Sequence, residues 1–524
     1  MSRASASPAR FASFVDHYQI GILIGIVMLA AVTRVPQLSS GTLYRDDAWM
    51  ALTNRVSLST ALHMVTTTPG YTLFIREWTS LAPHATWFAE LPNFVASLAA
   101  IVAIYAFLRW ERFPAWIALS GAFLLAISRS ATTFAAHVKP YSFSILTTIL
   151  LLWLAERVRR EASLQKLVVL ALASVLVSAL SFTSAVIVVA IFAILVIESL
   201  VNGSRQIQTI VTAAVVLVGL LIIYWLVHDQ ITPALRSSWS DHYLHLSSPG
   251  QAVTTTHRTV SRLLRGLGFY PQASWMSPIG YIAEIVVAAL IAIGAVTSWR
   301  RQAIPLTVLV IAFILSATHR LPLGTDRTDT YLYPCLILIM ASGLIWSSRS
   351  SRRLPHTIAV LGIALSLTLM GVLAIESIRE TPSYTGGNLE PAAAAVRHEL
   401  RQPGTVLLVQ GTARWPWAYY EAPEVRLIFG PDFNTGFTPV STQRNTLFSP
   451  HTADEPNFNP GAVVESLRLA ERIVTVNYDD STGLRDPLQE ALGRHCWVLQ
   501  RHQVIDRYIV NVFVRNPNPA CSPK

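Results

Sequence analysis

The sequence predicts a polytopic α-helical membrane protein that ends in a small α/β domain outside the membrane. The first observation is composition: 52% of the 524 residues are hydrophobic and 13% are charged, whereas soluble domains carry about 25% charged residues. Second, long apolar runs recur throughout residues 1–380. Third, residues 381–524 alternate short strand-like and helix-like segments instead. We therefore divide the chain into a transmembrane domain, 1–380, and a C-terminal domain, 381–524.

Eleven apolar runs are candidate membrane-spanning helices. Several approach the roughly 20 apolar residues that cross the hydrocarbon, and the shorter runs need tilt or burial inside the bundle. The run 167–201 is nearly continuous, and we divide it at Thr183 and Ser184, its most polar point. The predicted spans cover residues 18–35, 91–109, 115–128, 141–155, 167–182, 185–201, 209–228, 279–299, 304–318, 331–346 and 357–378.

The distribution of Lys and Arg predicts the orientation of these spans. The net charge of +10 lies largely in short loops between apolar runs, which is typical of a membrane protein rather than of a nucleic-acid-binding surface. The N-terminus, with Arg3 and Arg10, is predicted to lie on the cytoplasmic side with the basic loops. An odd number of spans then places the C-terminal domain outside. The first run is kept as a span because its exit lacks the small-x-small pattern of a signal-peptide cleavage site. The basic loops predicted to be cytoplasmic contain residues 109–112, 157–166, 205, 300–301 and 349–353.

The C-terminal domain shows the pattern of a small sheet with helices. Strands that alternate with helices predict a parallel or mixed sheet. The last two predicted strands are expected to form a closing pair. The predicted helices cover 391–400 and 462–470, and the predicted strands cover 405–410, 425–429, 473–477, 496–500 and 508–514.

The three cysteines lie in two different contexts. Cys335 lies in an apolar run, which predicts a core or lipid-facing thiol. Cys496 and Cys521 lie in the polar tail, and we predict that they form a disulfide, which fits an oxidising compartment. By loop-closure entropy, an unstrained bridge would add about 3–4 kcal/mol of stability.

Two adjacent carboxylates, Asp46 and Asp47, lie in the first outer loop, shortly beyond the first span. One interpretation is structural, because a carboxylate at a helix start caps free backbone N–H groups. The functional interpretation is a general base at the membrane surface. An acceptor hydroxyl has a very high pKa, so it needs a carboxylate to take its proton as it attacks an anomeric carbon. A pair also allows one carboxylate to act as base and the other to orient it or bind a metal.

Basic residues recur in the outer loops, where the positive-inside rule predicts few of them. Arg129 and Lys139 precede the fourth span, which begins at Tyr141, and Arg320 and Arg327 precede the tenth. Such cations either reach toward headgroups and anionic lipids or bind a phosphate, for which an Arg fork, a Lys charge and a Tyr hydroxyl are suited. Both interpretations stay open on the residues alone.

Other polar residues carry weaker signals. Glu284 is an ionisable group in the eighth span, so it is either functional or close enough to the outer end to reach water. His242 and His245 in the outer loop 229–278 are more often solvated side chains than metal ligands. Residues 259–266 of that loop predict an amphipathic interfacial helix. The sequence contains no P-loop, no paired zinc-ligand spacing and no G-x-S-x-G motif.

Several of these short motifs resemble those of the GT-C glycosyltransferases, in particular the branch with the protein O-mannosyltransferases and the lipid A aminoarabinose transferases. The acidic pair lies in the first outer loop, as in that branch. Thr-Pro-Gly-Tyr at 68–71 stands where many members have His-Pro-Pro-Leu-Tyr, and Lys139-Pro140-Tyr141 stands where many have Arg-Pro-Tyr. Glu90 stands where a cation is common. Leu-Pro-Leu-Gly at 321–324, followed by Arg327, is similar to the Arg-bearing loop before a late span.

The resemblance implies an inverting transfer of a sugar from a polyprenyl-phosphate donor to an extracytoplasmic acceptor of the cell envelope, whether glycan, lipid or protein. It implies a bacterial plasma (inner) membrane, with membrane lipids and no nucleic acid as partners. Some members use a divalent metal, Mg²⁺ or Mn²⁺, and others do not, so the cofactor stays open and no metal ligand is assigned.

The resemblance also implies roles for individual residues. Asp46 is expected to be the base, with Asp47 as second choice or positioning partner. Arg327 and Lys139 are expected to hold the donor phosphate. The remaining expected residues are Tyr141, Arg129 and Arg320 at the phosphate, and Tyr44, Tyr71, His137 and Glu284 in the sugar or acceptor pocket.

Two other classes of function are alternatives. A transporter or flippase of a lipid-linked glycan usually shows internal repeats and charges near the midplane, whereas the charges here lie in outer loops. A non-catalytic assembly or recognition protein would use the tail as a binding module and would tolerate loss of Asp46 and Asp47.

Overall fold

A computed structural model describes most of the chain in segments that cover both predicted domains. These segments are residues 8–38, 41–64, 67–83, 85–161, 163–203, 206–228, 233–268, 277–350, 387–422, 424–430, 437–449, 459–478 and 487–516.

The transmembrane domain is a bundle of apolar helices. Five of them are long and apolar enough to cross a membrane by length and composition, and five further apolar helices are shorter. The chain is therefore a multi-pass membrane protein. The helices are α1 (Pro8–Arg34), α5 (Thr86–Trp110), α6 (Ala115–Ile127), α8 (Tyr141–Arg160), α9 (Leu164–Leu180), α10 (Ser184–Asn202), α11 (Gln206–Val227), α14 (Ser277–Thr297), α15 (Ala303–Ala317) and α16 (Tyr333–Ser350).

Each predicted span from 18–35 to 331–346 overlaps one of these helices. The division of the run 167–201 is confirmed, since α9 ends at Leu180 and α10 begins at Ser184. The predicted span 357–378 lies outside the described residues.

Close packing of helices α14 and α16 depends on two glycines. A Cβ atom at Gly294 would collide with the backbone oxygen of Ile339, and one at Gly343 would collide with that of Leu290. Small residues at such crossings let membrane helices approach through van der Waals contact, because lipid provides no hydrophobic driving force between them. The two glycines therefore set how closely α14 and α16 pack.

Short helices form the outer loops between the spans. The predicted interfacial helix at 259–266 is the C-terminal half of a longer helix, which buries Leu263 and Leu264. The outer helices are α2 (Arg45–Ala51), α3 (Leu58–His63), α4 (Pro69–Leu81), α7 (Arg129–Thr133), α12 (Pro233–Ser238) and α13 (Pro249–Gly266).

The C-terminal domain contains a five-stranded mixed sheet in the order β4-β1-β5-β7-β6, which confirms the predicted sheet type. Strand β1 is parallel to β4 and β5, whereas β7 is antiparallel to β5 and β6. The predicted closing strand pair is confirmed as β6 and β7. The strands are β1 (Thr405–Gln410), β4 (Thr446–Ser449), β5 (Arg472–Tyr478), β6 (Trp497–Ile505) and β7 (Tyr508–Arg515).

The predicted strand 425–429 belongs to a separate antiparallel hairpin of β2 (Val425–Phe429) and β3 (Phe437–Ser441). Both predicted helices of this domain are present, and two further helices were not predicted. The helices are α17 (Leu389–Glu399), α18 (Arg414–Tyr420), α19 (Pro460–Ser466) and α20 (Pro487–Arg494). Cys496 is disulfide-bonded and Cys335 is a buried free thiol, while Cys521 lies outside the described residues.

Helix α18 docks the C-terminal domain on the first outer loop. Arg55 donates hydrogen bonds from its guanidinium to the backbone oxygens of Ala418 at 3.1 Å and Ala422 at 2.6 Å, near the free carbonyls at the end of α18. The Tyr420 hydroxyl lies 2.7 Å from the Thr86 hydroxyl at the start of α5. The C-terminal domain therefore rests directly against the loop that carries the acidic pair.

Candidate active site

Helix α2 presents Asp46 at its N-terminal turn. The N-cap residue is Tyr44, which makes no side-chain capping hydrogen bond, so the predicted capping role of Asp46 is wrong. Instead, Asp46 Oδ1 lies 3.3 Å from Arg45 Nε, and Oδ2 lies 3.1 Å from Arg327 Nη1. The Asp46 side chain is 14% exposed. It is thus shielded by two cations and still accessible from the surface.

Asp47 has a different environment from its neighbour. Its side chain is 3% exposed, its Oδ1 accepts a 2.8 Å hydrogen bond from the backbone N–H of Val138, and its Oδ2 lies 2.9 Å from His137 Nδ1. Both oxygens therefore bind the segment that leads into α8. Asp47 fixes the backbone immediately before Lys139 and is suited to positioning.

Lys139 is a buried cation, with 5% of its surface exposed. Its Nζ lies 4.0 Å from the centroid of the Trp49 ring, in a cation–π contact. Trp49 follows Asp46 by three residues, so both side chains lie on neighbouring positions of one helix face. Among the described residues, the ammonium makes no hydrogen bond and no ion pair. A buried ammonium without a hydrogen-bonded acceptor is a favourable place for an anion.

Arg327 reaches the site from the loop between α15 and α16. The Thr325 hydroxyl accepts hydrogen bonds from the backbone N–H groups of Arg327 at 3.3 Å and Thr328 at 2.9 Å. The guanidinium carbon lies 4.6 Å from the centroid of the Trp239 ring, which belongs to the outer loop 229–278. Four separate outer segments therefore meet around Asp46.

The charges at this site shift one another's pKa values. Burial raises the pKa of the Asp46 carboxyl, but Arg45, Arg327 and Lys139 outweigh burial and hold that pKa below its ordinary value. Burial lowers the pKa of Lys139 to about 8, although Asp46 and Asp47 act in the opposite direction. Lys139 is therefore a cation at neutral pH that loses its proton within the range in which enzymes are assayed.

Three predicted aromatic or imidazole side chains lie around or beneath these charges. The rings of Tyr44 and His137 are 6.1 Å apart, edge to face, beside Asp47. Tyr71 is fully buried, and its hydroxyl accepts a 2.8 Å hydrogen bond from Asn93 Nδ2. Tyr44 is thus half-buried beside the acidic pair, His137 is buried against Asp47, and Tyr71 supports the site from within.

Tyr141 begins α8, two residues after Lys139, and interacts electrostatically with both Arg327 and Asp46. Its ring packs 5.2 Å from that of Phe134. This placement brings Tyr141 to Arg327, one of the cations with which it was predicted to act.

The other predicted residues lie apart from the acidic pair. Arg129 interacts electrostatically with Asp326, in the same loop as Arg327. The Arg320 side chain is exposed, and within the described segments it makes no ion pair. Glu284 lies half-buried on α14, where no hydrogen bond or ion pair joins it to the described site residues.

Three residues at the site had no predicted role: Arg45, Trp49 and Trp239. Arg45 adjoins the acidic pair, but sequence alone does not show whether it faces the carboxylate. Trp49 follows Asp46 by three residues, a spacing that places two side chains on one helix face, so the sequence could have identified it as a neighbour of Asp46. The position of Trp239 depends on the folding of a long loop, and no local pattern identifies it.

The described residues around the acidic pair offer few free side-chain groups that could bind a metal ion. Within the part of the chain that the structure describes, no three or more His, Cys, Asp or Glu side chains are grouped to hold a metal ion. Both oxygens of Asp46 lie against guanidinium groups, and both oxygens of Asp47 bind N–H donors or the imidazole. His242 Nδ1 lies 3.0 Å from the backbone oxygen of Gly324. The acidic pair in this arrangement does not fit a divalent metal, and we derive no step through one.

The chain is similar to known proteins in sequence over part of its length and in fold. Residues 66–228 match the family model described as dolichyl-phosphate-mannose-protein mannosyltransferase. Among curated proteins, none matches the chain. Among solved structures, the chain is similar to ArnT from Cupriavidus metallidurans bound to undecaprenyl phosphate, with 13% identity, a TM-score of 0.51, and coverage of 95% of this chain and 99% of ArnT. The apo state of the same protein matches with 14% identity, a TM-score of 0.49 and the same coverage.

The family match over residues 66–228 supports one class, a membrane glycosyltransferase of the GT-C superfamily. Within that class, the fold of the described residues is like that of ArnT, with a helical membrane domain followed by a C-terminal domain that contains a β-sheet.

Proposed function

We propose that this protein transfers a sugar from a polyprenyl-phosphate donor to an acceptor hydroxyl at the outer face of the membrane. One observation carries the proposal: Lys139 is a buried cation without a hydrogen-bonded acceptor in the described residues, and it adjoins Asp46 and Arg327. A phosphate leaving group would supply the missing acceptor. ArnT, whose fold this chain resembles, has been crystallised with undecaprenyl phosphate bound, which supports a donor of this type.

Donor binding would redistribute the ion pairs of the site. Arg327 holds Asp46 in the present arrangement at 3.1 Å. A donor phosphate is a competing anion with a geometry that matches a guanidinium fork. We infer that Arg327 and Lys139 bind the phosphate, and that Asp46 is then held only by Arg45. Tyr141 would donate a hydrogen bond from its hydroxyl to the same phosphate.

The released Asp46 would act as the general base. Its oxygen takes the proton of the acceptor hydroxyl as the hydroxyl oxygen attacks the anomeric carbon. The new bond between oxygen and carbon forms on the face opposite the phosphate, and the bond between carbon and the phosphate oxygen breaks. The electron pair leaves with the polyprenyl phosphate, whose charge Arg327 and Lys139 stabilise. The configuration at the anomeric carbon is inverted.

Asp47 would position this machinery without transferring the proton. Both of its oxygens are engaged by the N–H of Val138 and the imidazole of His137. Those contacts connect α2, which carries the base, to the segment that carries Lys139. Of the two carboxylates, Asp46 is therefore the better candidate for the base.

The acceptor would approach from outside. We propose the predicted orientation, in which the N-terminus is cytoplasmic and the acidic pair, the loop of Arg327 and the C-terminal domain all lie on the outer side of a bacterial inner membrane. The contact of α18 with α2 supports placing that domain on the same side as the acidic pair. The acceptor would be a glycan, lipid or protein of the cell envelope, whose hydroxyl reaches Asp46 beside Tyr44.

The test is sugar transfer by the purified full-length protein in nanodiscs. A panel of polyprenyl-phosphate sugars is offered with membrane acceptors, and donor consumption and product are followed by mass spectrometry. Asp46→Asn should reduce transfer about 10²- to 10⁴-fold, the usual contribution of a general base. Arg494→Ala is the matched control, because its side chain is exposed at the end of α20, away from the site, and should leave transfer unchanged.

Full activity of a folded Asp46→Asn variant would reject Asp46 as base. No consumption of any donor by folded parent protein would reject the transferase. Movement of a lipid-linked sugar across proteoliposomes without covalent product would instead establish the flippase alternative.

A further inference from the structure

Trp49 lies between the membrane domain's buried cation and the C-terminal domain. The face of its ring contacts the Lys139 ammonium at 4.0 Å. Its ring centroid also lies 5.7 Å from that of Trp415 and 6.2 Å from that of Phe437, both at edge-to-face angles. Trp415 belongs to α18 and Phe437 begins β3. One side chain therefore contacts both domains at once.

The two aromatic partners of Trp49 also hold each other. Trp415 and Phe437 are buried, and their rings lie 5.4 Å apart, edge to face. Offset and edge-to-face arrangements are favourable for aromatic pairs beyond the area that they bury. The three rings thus form a cluster whose geometry is set mainly by the C-terminal domain. Loss of that domain would leave one side of the Trp49 ring without support.

The position of the Lys139 ammonium depends strongly on its contact with the Trp49 ring. Its long side chain has several rotatable bonds, and the described residues give it no hydrogen bond that would select one rotamer. The ring face and the negative field of the acidic pair are what hold it. A displaced ring therefore changes the position of the ammonium directly.

We propose that Trp49 is a positioning residue that holds Lys139 in the donor-phosphate site and makes its position depend on the docked C-terminal domain. Trp49 acts through Lys139 and does not itself touch the reacting atoms. The inference rests on the proposed function in one respect, that Lys139 binds the donor phosphate. It assigns the C-terminal domain a role in donor binding, in addition to any contact with the acceptor.

The first measurement is binding of undecaprenyl phosphate to the full-length protein in nanodiscs at neutral pH. Trp49→Leu should weaken binding about 2- to 30-fold, the range expected for a lost cation–π contact. Trp49→Phe, which keeps a smaller aromatic face, should lose less. Trp415→Leu, which does not contact Lys139, should weaken binding in the same direction. Trp225→Leu is the matched control, because Trp225 is 70% exposed on α11, and should bind like the parent.

A double-mutant cycle separates positioning from general damage to the fold. In a Lys139→Ala background, Trp49→Leu should no longer weaken binding, because the group that it positions is absent. An unchanged Trp49→Leu protein, or an effect of the same size in the Lys139→Ala background, would overturn the inference.

A second measurement is independent of the donor. The acylation rate of Lys139 by an amine-reactive reagent, followed by mass spectrometry, should rise several-fold in Trp49→Leu and in Trp415→Leu and stay unchanged in Trp225→Leu. Unchanged acylation in Trp49→Leu would refute the positioning role whatever the ligand is. Faster acylation without any binding of undecaprenyl phosphate by the parent would keep the positioning role and reject the proposed donor class.

Discussion

The pH dependence of donor use tests whether the charge of Lys139 binds the donor phosphate. Burial lowers the pKa of this ammonium to about 8 in the protein without donor. The phosphodiester of a polyprenyl-phosphate sugar keeps its single charge throughout the working pH range. A fall in donor use above neutral pH would therefore report loss of the proton from the enzyme and not from the donor.

The size of the fall in kcat/KM follows from the pKa of Lys139 and from the free energy of a hydrogen bond between Lys139 and the phosphate. With a pKa of about 8, roughly one Lys139 in ten keeps its proton near pH 9. A hydrogen bond to a charged group contributes about 1.5–3 kcal/mol, which corresponds to about 10- to 150-fold in binding. The value of kcat/KM for the donor should thus fall about tenfold for each pH unit above about 8 and then level off at that limit.

The assay compares the parent with Lys139→Arg over this pH range. A guanidinium keeps its proton far above the pH at which a buried ammonium loses it, and it also stacks on a tryptophan ring. Lys139→Arg should therefore remain active and lose the alkaline fall. The Arg494→Ala control should follow the parent curve. An identical alkaline fall in the parent and in Lys139→Arg would refute the reasoning, since some other group would then be losing its proton.

Three further predictions concern the neighbours of Lys139. Arg327→Gln should lower kcat about 10²- to 10³-fold with folding intact, because the variant loses a group that stabilises leaving-group charge. Single-turnover kinetics would measure this loss, and full activity would contradict the role of Arg327. Asp47→Ala should lower the free energy of unfolding by about 1–3 kcal/mol, because it leaves the buried N–H of Val138 and the ring of His137 without their acceptor. Calorimetry that shows an unchanged free energy of unfolding would contradict the positioning role of Asp47. Dialysis against a chelator should leave transfer unchanged, because both oxygens of Asp47 are bound to protein groups and Arg45 stays beside Asp46 when the donor binds. Activity that returns only with Mg²⁺ or Mn²⁺ would contradict this.

The membrane helices were predictable because the signal for each is local. An apolar run of sufficient length has few alternatives to a helix in lipid, since the backbone polar groups must be satisfied within the segment. Even the break at Thr183 and Ser184 was visible, because two hydroxyl side chains interrupt an otherwise apolar run. The hairpin strand β3 was missed, since Pro439 within it argues against a strand that pairs on both sides. Helix α18 was missed because Pro416 and four aromatic residues obscure its short helical pattern.

The site was only partly predictable. Asp46 and Arg327 are far apart along the chain, yet both stood out because a carboxylate pair and outward-facing cations are unusual in outer loops. Their ion pair could not be foreseen, since it depends on how two distant loops fold over the bundle. The same reason hides Trp239, which stacks on Arg327 from a third segment. Chemical type is thus readable from sequence here, whereas the pairing of charges is a property of the tertiary fold.

The pairing of Arg327 with Asp46 carries a further consequence for the order of events. In the protein without donor, cations hold the pKa of Asp46 below its ordinary value, which makes it a weak base. A bound phosphate draws Arg327 away and adds a negative charge nearby, and both changes raise the pKa of Asp46. Activity is lost at low pH as Asp46 takes up a proton. The pH profile of kcat reports the donor complex, and that of kcat/KM reports the free enzyme. The acid limb of kcat should therefore lie at higher pH than the acid limb of kcat/KM. Acid limbs at the same pH would mean that Arg327 stays on Asp46 during turnover. Acid limbs at different pH would show that donor binding itself activates the base. Such activation keeps Asp46 a weak base while no donor is present and so protects the site from premature attack.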